Sequence, residues 1–236
     1  YLGPNYRFST QIYTDGILEN QVLKGNLYIK GSGDPKLVTE QLWLLVNGLR
    51  NLPLKQIKGN IIGDDSFFDK KKRIKTWIEN PGAQAYQAPL GSLSFNFNTI
   101  KVYVSPGRKV GDQPEIVIEP ENEYIKLENN ARTLKPGRRN RLIVNRVDKE
   151  DHDLITVTGG INLGQPRAHY FLNITHPTQY ALNALKSYLR FSGITFDGKL
   201  LEGKIPDNAE ELHTHKGESL ALILRGLNKF SNNFAF

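Results

Sequence analysis

The stretch Leu23-Lys24-Gly25-Asn26-Leu27-Tyr28-Ile29 has a near copy in Ile57-Lys58-Gly59-Asn60-Ile61-Ile62. Each run carries apolar and β-branched residues bounded by turn formers, so each reads as a short strand. The first copy runs into Gly31-Ser32-Gly33-Asp34-Pro35, which has the composition of a loop. Between the copies, Leu42, Leu45, Val46 and Leu49 recur at helical spacing over Thr39 to Arg50, with Thr39 as the expected N-cap. The chain therefore opens as strand, helix, strand.

Working outward, residues 70 to 100 combine the basic run Lys70-Lys71-Lys72-Arg73 with Trp77, Pro81-Gly82, Tyr86 and Pro89, an irregular, surface-type composition. From Ile100 to about Asn173 the pattern turns strand-like, at Lys101–Val104, Glu115–Ile118, Tyr124–Leu127, Arg141–Val144, Leu154–Gly159 and His169–Ile174. No helical period appears there, and the segment reads as a small all-β unit of short antiparallel strands. A helix follows, with Pro177 in its first turn, Ala181, Leu182, Leu185, Tyr188 and Leu189 on one face, and Gly193 closing it. A last helix starts near Glu218 and carries Leu220, Ile223, Leu224 and Leu227 on one face.

The 236 residues are enough for one large domain or two small ones with a genuine core. With 39% hydrophobic and 23% charged residues the chain is globular in type, and it contains no apolar run long enough to cross a bilayer as a helix. The absence of cysteine excludes disulfides, thiolate metal sites and cysteine nucleophiles. The absence of methionine marks the sequence as an expected excised or processed piece of a longer protein, and the stop just after Asn233 suggests the same. No apolar leader is visible in Tyr1 to Arg7. The net charge of +7 is read as solubility charge, because the basic clusters are short and lack interleaved aromatics.

Most motif matches resolve into turns. Gly31-x-Gly33 lacks the third glycine of a dinucleotide loop, since Lys36 stands there, and no P-loop is present. The acidic cluster Asp148, Glu150, Asp151 and Asp153 around His152 lacks calcium-loop spacing and reads as a solvated turn between strands. His213-x-His215 offers two imidazoles without a third ligand nearby in sequence. Arg138-Arg139-x-Arg141 and Lys70–Arg73 read as solvated, charged edges. Ser231-Asn232-Asn233 fits the S-x-N element of acyl-serine enzymes. Ser94-Phe95-Asn96 fits as well, and what separates the two is context, because Ser231 directly follows an amphipathic helix.

An ordered set of segments then gives the chain a specific likeness. It comprises Leu2-Gly3-Pro4-Asn5-Tyr6-Arg7-Phe8-Ser9-Thr10, Leu23-x-Gly25-Asn26-Leu27-Tyr28-Ile29-x-Gly31-Ser32-Gly33-Asp34-Pro35, and Gly59-Asn60-Ile61-Ile62-Gly63-Asp64-Asp65-Ser66-Phe67-Phe68. It continues with Tyr86-x-Ala88-Pro89-x-x-Ser92-Leu93-Ser94-x-Asn96-x-Asn98 and ends with Leu227-Asn228-Lys229-x-Ser231-Asn232-Asn233-Phe234-Ala235. In this order the segments resemble the D-alanyl-D-alanine carboxypeptidase/endopeptidases of the class C low-molecular-mass penicillin-binding proteins, peptidase family S13. The resemblance implies a multi-domain α+β chain. Its mixed α/β inserted domain (19–101 and 174–217) would carry a smaller all-β domain (102–173). Stubs of a transpeptidase, β-lactamase-like domain would stand at 1–18 and 218–236.

The same resemblance implies an acyl-serine peptidase of peptidoglycan stem peptides that needs no metal or other cofactor. Ser231 would relay a proton to the leaving amine, and Asn233 would hydrogen-bond the substrate amide. Trp77, Glu79 and Tyr86 would surround the diamino-acid side chain of the stem peptide; the family's acid is an Asp, and Glu79 is the nearest carboxylate here. Neither S-x-x-K nor K-T-G occurs in the chain, so the chain alone is expected to be inactive. The implied partners are stem peptides and β-lactams rather than nucleic acid, with peripheral membrane association left open, and the implied location is the periplasm or the cell-envelope exterior. Two other readings remain. One is a non-catalytic envelope scaffold or binding module derived from the family, and the other is a polyanion-binding β protein.

Overall fold

The computed structural model describes residues 2–73, 82–139 and 141–230. The chain separates into two compact units, one of Tyr1–Ile78, Pro89–Asn98 and His176–Phe236, the other of Glu79–Ala88 and Thr99–Thr175. The first unit opens with strands β1 (Arg7–Thr14), β2 (Ile17–Glu19), β3 (Val22–Lys24) and β4 (Leu27–Gly31), helix α1 (Thr39–Leu49), and strands β5 (Gln56–Ile57) and β6 (Ile61–Asp64). The second unit carries β7 (Thr99–Ser105), β8 (Glu115–Glu119), β9 (Ile125–Asn129), β10 (Arg132–Leu134), β11 (Arg141–Asp148), β12 (Asp153–Asn162) and β13 (Ala168–Asn173). The chain then returns to the first unit with α2 (Pro177–Phe191), β14 (Thr195–Phe196), β15 (Leu200–Glu202), β16 (Glu210–Ser219) and α3 (Leu220–Phe230).

The two near-identical stretches are not single strands. Each breaks at its glycine into two strands that belong to different sheets, β3 and β4 in the first copy, β5 and β6 in the second. A third strand pair, β14 and β15, breaks at Gly198 in the same way. The sheets run β15-β6-β4-β1-β16 and β14-β5-β3-β2. The pairing register is the same on both sides of the break: Leu23 faces Ile57 before it, and Leu27 faces Ile61 after it. The reason is steric. A Cβ on Gly59 would lie 2.2 Å from Gly25 O, one on Gly198 2.0 Å from Gly59 O, and one on Gly25 2.5 Å from Gly16 Cα. Four strand connections cross at a distance that only hydrogen at Cα permits.

A polar ladder runs beside this glycine row. Asp15 accepts from both the backbone and the side-chain amide of Asn26, each at 2.7 Å. Asn26 Oδ1 accepts the Asn60 N–H, and Asn60 Oδ1 accepts the Lys199 N–H, both at 2.9 Å. Backbone groups that the broken strands would leave unpaired are thereby satisfied.

Helices α1 and α2 bury the faces that their periodicity indicates, whereas on the face expected for α3 Ile223 is buried and Leu224 is exposed. Leu42, Leu45, Val46 and Leu49 of α1 and Ala181, Leu182, Leu185 and Leu189 of α2 are all 3% exposed or less. Each such large aliphatic contributes about 1.5–3 kcal/mol relative to exposure. Gly63 in β6 lets α2 approach, since a Cβ there would lie 2.6 Å from Thr178 Cγ2. Thr39 is not the N-cap: Val38 occupies that position, and Thr39 is the first helical residue. Thr39 instead exchanges hydrogen bonds with Asn96, its N–H donating to Oδ1 and its Oγ1 accepting from Nδ2, both at 3.0 Å.

In the second unit the strands expected at 101–104, 115–118, 124–127, 141–144, 154–159 and 169–174 all form, and the three-residue β10 is an addition. Ile100, Val102 and Val104 of β7 are buried while Lys101 and Tyr103 face outward, the alternation of a half-buried strand. The unit is not purely antiparallel. Both β9 and β10 pair in parallel with β12, one after the other along the same edge.

Candidate functional site

Strand β16 runs antiparallel to β1 and leads directly into α3. Arg7 faces Ser219 across that pair, and its Nη1 donates to Gly217 O at 2.7 Å. The first N–H groups of a helix have no acceptor within it. Here Leu220 N donates to Tyr6 O at 2.8 Å and Ala221 N to Pro4 O at 3.0 Å. The start of α3 is therefore fixed by the carbonyls of residues 4–6. Ile223 is buried, whereas Leu222 and Leu224 are exposed, and Leu224 borders a shallow apolar groove with Leu2, Pro4 and Ala221. Ser231 and Asn233, the residues expected to act after this helix, lie outside the described residues.

The loop Gly31–Pro35 is pinned on both sides. Gly33 N donates to Ser92 O at 2.9 Å, Ser32 Oγ donates to Ser9 O and accepts from Ser9 N, both at 2.8 Å, and a Cβ on Gly31 would lie 2.0 Å from Ser92 O. Gly33 adopts φ +83°, with the Phe68 ring packed against it. Asp34 is 3% exposed. Its Oδ1 accepts the Lys36 N–H at 2.8 Å, while Oδ2 has no hydrogen-bond partner among the described residues and faces Gly217 at the end of β16. Burial pushes this carboxyl above the ordinary range and Glu218 adds to the effect, against the pull of the Lys36 N–H and side chain. The sequence marks Asp34 only as part of a loop, and nothing in its spacing shows that a carboxylate is buried beneath the entry to α3.

The facing loop is held by a group that the sequence reading missed. Asp65 Oδ1 accepts from Ser92 Oγ and from Leu93 N, both at 2.9 Å, and its Oδ2 is ion-paired with Lys72. Lys72 is therefore not a solvated edge residue as expected; burial lowers its ammonium pKa against the opposing pull of Glu202. Ser94-Phe95-Asn96, the second match to S-x-N, is structural. Ser94 Oγ donates to Gly91 O at 2.8 Å and accepts from Asn98 Nδ2, while Asn96, Phe97 and Asn98 all have positive φ.

In the second unit Tyr86 lies on a single 3-10 turn, Ala85–Gln87, and is 62% exposed. Trp77 and Glu79 lie outside the described residues. The segment before Tyr86 is tied to β13: Asn173 Nδ2 donates to Gly82 O at 3.0 Å and Gln84 O at 2.9 Å, and Asn173 N donates to Ala83 O at 2.9 Å. Asn173 Oδ1 accepts from Arg146 Nε at 3.0 Å, and Arg146 also pairs with Asp153. Asp153 is 0% exposed, which corrects its reading as part of a solvated turn; it accepts Thr175 N and Thr175 Oγ1, each at 2.7 Å. Asp148, Glu150 and Asp151 are exposed, as expected.

His213 packs against Gly48, and His215 Nε2 is 2.7 Å from Gln41 Oε1. Burial, together with the neighbouring His213, lowers the His215 pKa. Among the described residues no group of three or more His, Asp or Glu is arranged to hold a metal ion.

Comparison with known proteins gives one consistent result. The sequence profile of the D-Ala-D-Ala carboxypeptidase 3 (S13) family matches residues 1–235. A D-alanyl-D-alanine carboxypeptidase of Actinomadura sp. (strain R39) is 25% identical over 98% of this chain and 44% of its own length. The D-alanyl-D-alanine carboxypeptidase DacB of Haemophilus influenzae is 24% identical over 98% of this chain and 48% of its own. The fold matches the crystal structure of penicillin binding protein 4 (dacB) from Haemophilus influenzae with a TM-score of 0.83 at 22% identity, over 99% of this chain and 51% of that one. A second structure of that protein, complexed with a β-lactam, gives 0.76 at 20% identity over 99% and 50%. The chain spans about half the length of the relatives it matches.

Proposed function

The chain belongs to the D-Ala-D-Ala carboxypeptidase 3 (S13) family, and from that premise we propose that it is part of a penicillin-binding D-alanyl-D-alanine carboxypeptidase/endopeptidase acting on peptidoglycan stem peptides. The match over residues 1–235 is the observation that carries this reading. In the parent enzyme a serine outside this sequence attacks the carbonyl between the two D-alanines. A neighbouring lysine takes its proton, and water later releases the acyl group, so that one difficult acyl transfer becomes two easier steps. Backbone N–H groups stabilise the oxyanion.

Ser231 relays a proton to the leaving amine and Asn233 hydrogen-bonds the substrate amide. Trp77, Glu79 and Tyr86 receive the diamino-acid side chain, with the Glu79 carboxylate attracting its ammonium. The location is the periplasm or the cell-envelope exterior. Residues 19–101 and 174–217 form an inserted domain, 102–173 a nested β domain, and 1–18 and 218–236 parts of the catalytic domain. Two observations support this division. The strands of 99–175 fall, together with Glu79–Ala88, in a compact unit apart from the rest of the chain, and residues 4–6 hydrogen-bond to residues 220–221, so the two outer segments adjoin.

Fluorescent penicillin tests the reading. The full-length protein should be labelled, Ser231→Ala in that protein should slow labelling, and the 236-residue chain alone should stay unlabelled. A full-length protein that carries no S-x-x-K and takes no label would overturn it in favour of a non-catalytic envelope scaffold.

A further inference from the structure

The second unit is electrically polarised along its strands. Pairing fixes which loops share an end: Arg141 faces Gly160, Leu134 faces Asn162, and Ala168 faces Val104. The β7–β8, β10–β11 and β12–β13 connections therefore gather at one end. Hydrogen bonds join them, from Gly107 N to Thr133 Oγ1 at 2.8 Å, from Thr133 N to Asp112 O at 2.8 Å, from Asn162 Nδ2 to Arg138 O at 2.7 Å, and from Leu163 N to Leu134 O at 2.9 Å. These connections present Arg108 and Lys109, then Lys135, Arg138, Arg139 and Arg141, then Arg167, all exposed, against only Asp112 and Glu115. The opposite end carries Glu119, Glu121, Glu123, Asp148, Glu150 and Asp151, with Lys101, Lys126 and Lys149.

Three features indicate what the basic end takes. Five of its seven cations are arginines, whose planar forks match phosphate oxygens two at a time. None of the ion pairs among the described residues involves any of the seven. Among the described residues of these loops Val110 is the one large apolar side chain left exposed, so the surface lacks the apolar anchor of a bilayer-binding face. Arg167 lies 4.1 Å over the Tyr103 ring, which steadies its guanidinium.

We propose that this end of the second unit is a binding surface for a soluble, linear polymer bearing repeated phosphate charges. Contact is made across three adjoining loops and without base or sugar recognition. The acidic far end orients the unit on approach, because a separated charge pair aligns in the field of a polyanion. This inference rests on the charge layout of the second unit and is independent of the peptidase reading.

The test uses the full 236-residue chain and end-labelled inorganic polyphosphate, followed by fluorescence anisotropy. The chain should bind at low salt and weaken by about tenfold or more between 50 and 200 mM salt, as counterions compete for the same contacts. R138E/R139E should bind about tenfold or more weakly, while E150Q/D151Q at the other end should not weaken binding. R108E/K109E, on a different loop, repeats the test should the first variant not fold. The proposal is overturned if the wild-type chain does not bind polyphosphate, if both basic-end variants bind as the wild type does, or if E150Q/D151Q weakens binding as much as they do. Binding to phosphatidylglycerol vesicles without binding to polyphosphate would also overturn it.

Discussion

Asn26 and Asn60 occupy matching places in two copies of one sequence motif, and the first side chain holds the second residue's backbone N–H at 2.9 Å. The Asn60 side chain does the same for Lys199. The repeated Lys-Gly-Asn step therefore builds a ladder whose rungs are amide side chains beside a row of glycines. Asn60→Ala should cost about 1–2 kcal/mol, the loss of an acceptor for a strand-end N–H. Asn26→Ala should cost more, since it also removes a donor to Asp15. Urea melts of the two single variants and the double variant should show coupling of about 0.5 kcal/mol or more. Strict additivity would show that the rungs act independently.

Two glycines should respond in opposite directions. Ala at Gly59 would put a methyl 2.2 Å from a backbone carbonyl, and backbone cannot swing aside. A loss of about 3 kcal/mol or more is expected, at the upper end of overpacking costs. Gly226 lies inside α3 with open space around its Cβ position. Gly226→Ala should stabilise by about 0.5–1 kcal/mol through helix propensity alone. Thermal melts of both variants decide the matter, and a neutral Gly59→Ala would mean that the glycine row is not sterically required.

Local signals made most of the elements legible. The periodicity of α1 and α2 indicated their buried faces, and alternation located six strands of the second unit. What remained hidden depends on contacts distant in sequence. Gly25 and Gly59 look like ordinary turn formers until three strand breaks stack, which no single window reveals. Lys72 and Asp153 sit in charged runs that read as solvated, yet each is committed to a partner, Asp65 and Arg146. Thr39 has the chemistry of an N-cap, but its hydroxyl is engaged by Asn96 from another loop. Of the expected site residues only Tyr86 is described, while Ser231, Asn233, Trp77 and Glu79 lie outside the described residues.

Asp34 should make stability depend on pH. Burial, assisted by Glu218, raises its folded-state pKa above the unfolded value, so the folded chain holds this proton more tightly. Stability from this group is then fully present below about pH 4 and falls as pH rises through the folded pKa, because the unfolded state releases the proton first. Asp34→Asn keeps an acceptor for the Lys36 N–H and removes the buried charge. The variant should melt higher than the wild type at pH 8, by on the order of 1 kcal/mol, and match it near pH 4. Equal melting curves at both pH values would show that the carboxyl carries no such cost.

Asn173 provides a way to separate positioning from chemistry. Its fully buried amide donates to Gly82 O and Gln84 O, and these bonds hold the residues that lead into Tyr86. Asn173→Ala leaves two carbonyls without donors and frees the Arg146 Nε–H, at a cost of about 1–3 kcal/mol. If Tyr86 receives the side chain of the stem peptide, releasing this segment in the full-length protein should raise KM for a diamino-acid peptide about tenfold. Acylation by fluorescent penicillin, which lacks that side chain, should keep its rate. Tyr86→Ala should reproduce the KM effect without the loss of stability, since that residue is exposed. Limited proteolysis after Gln84 reports whether the segment has been released. Release together with an unchanged KM would remove Tyr86 from the substrate pocket and leave Asn173 a purely structural role.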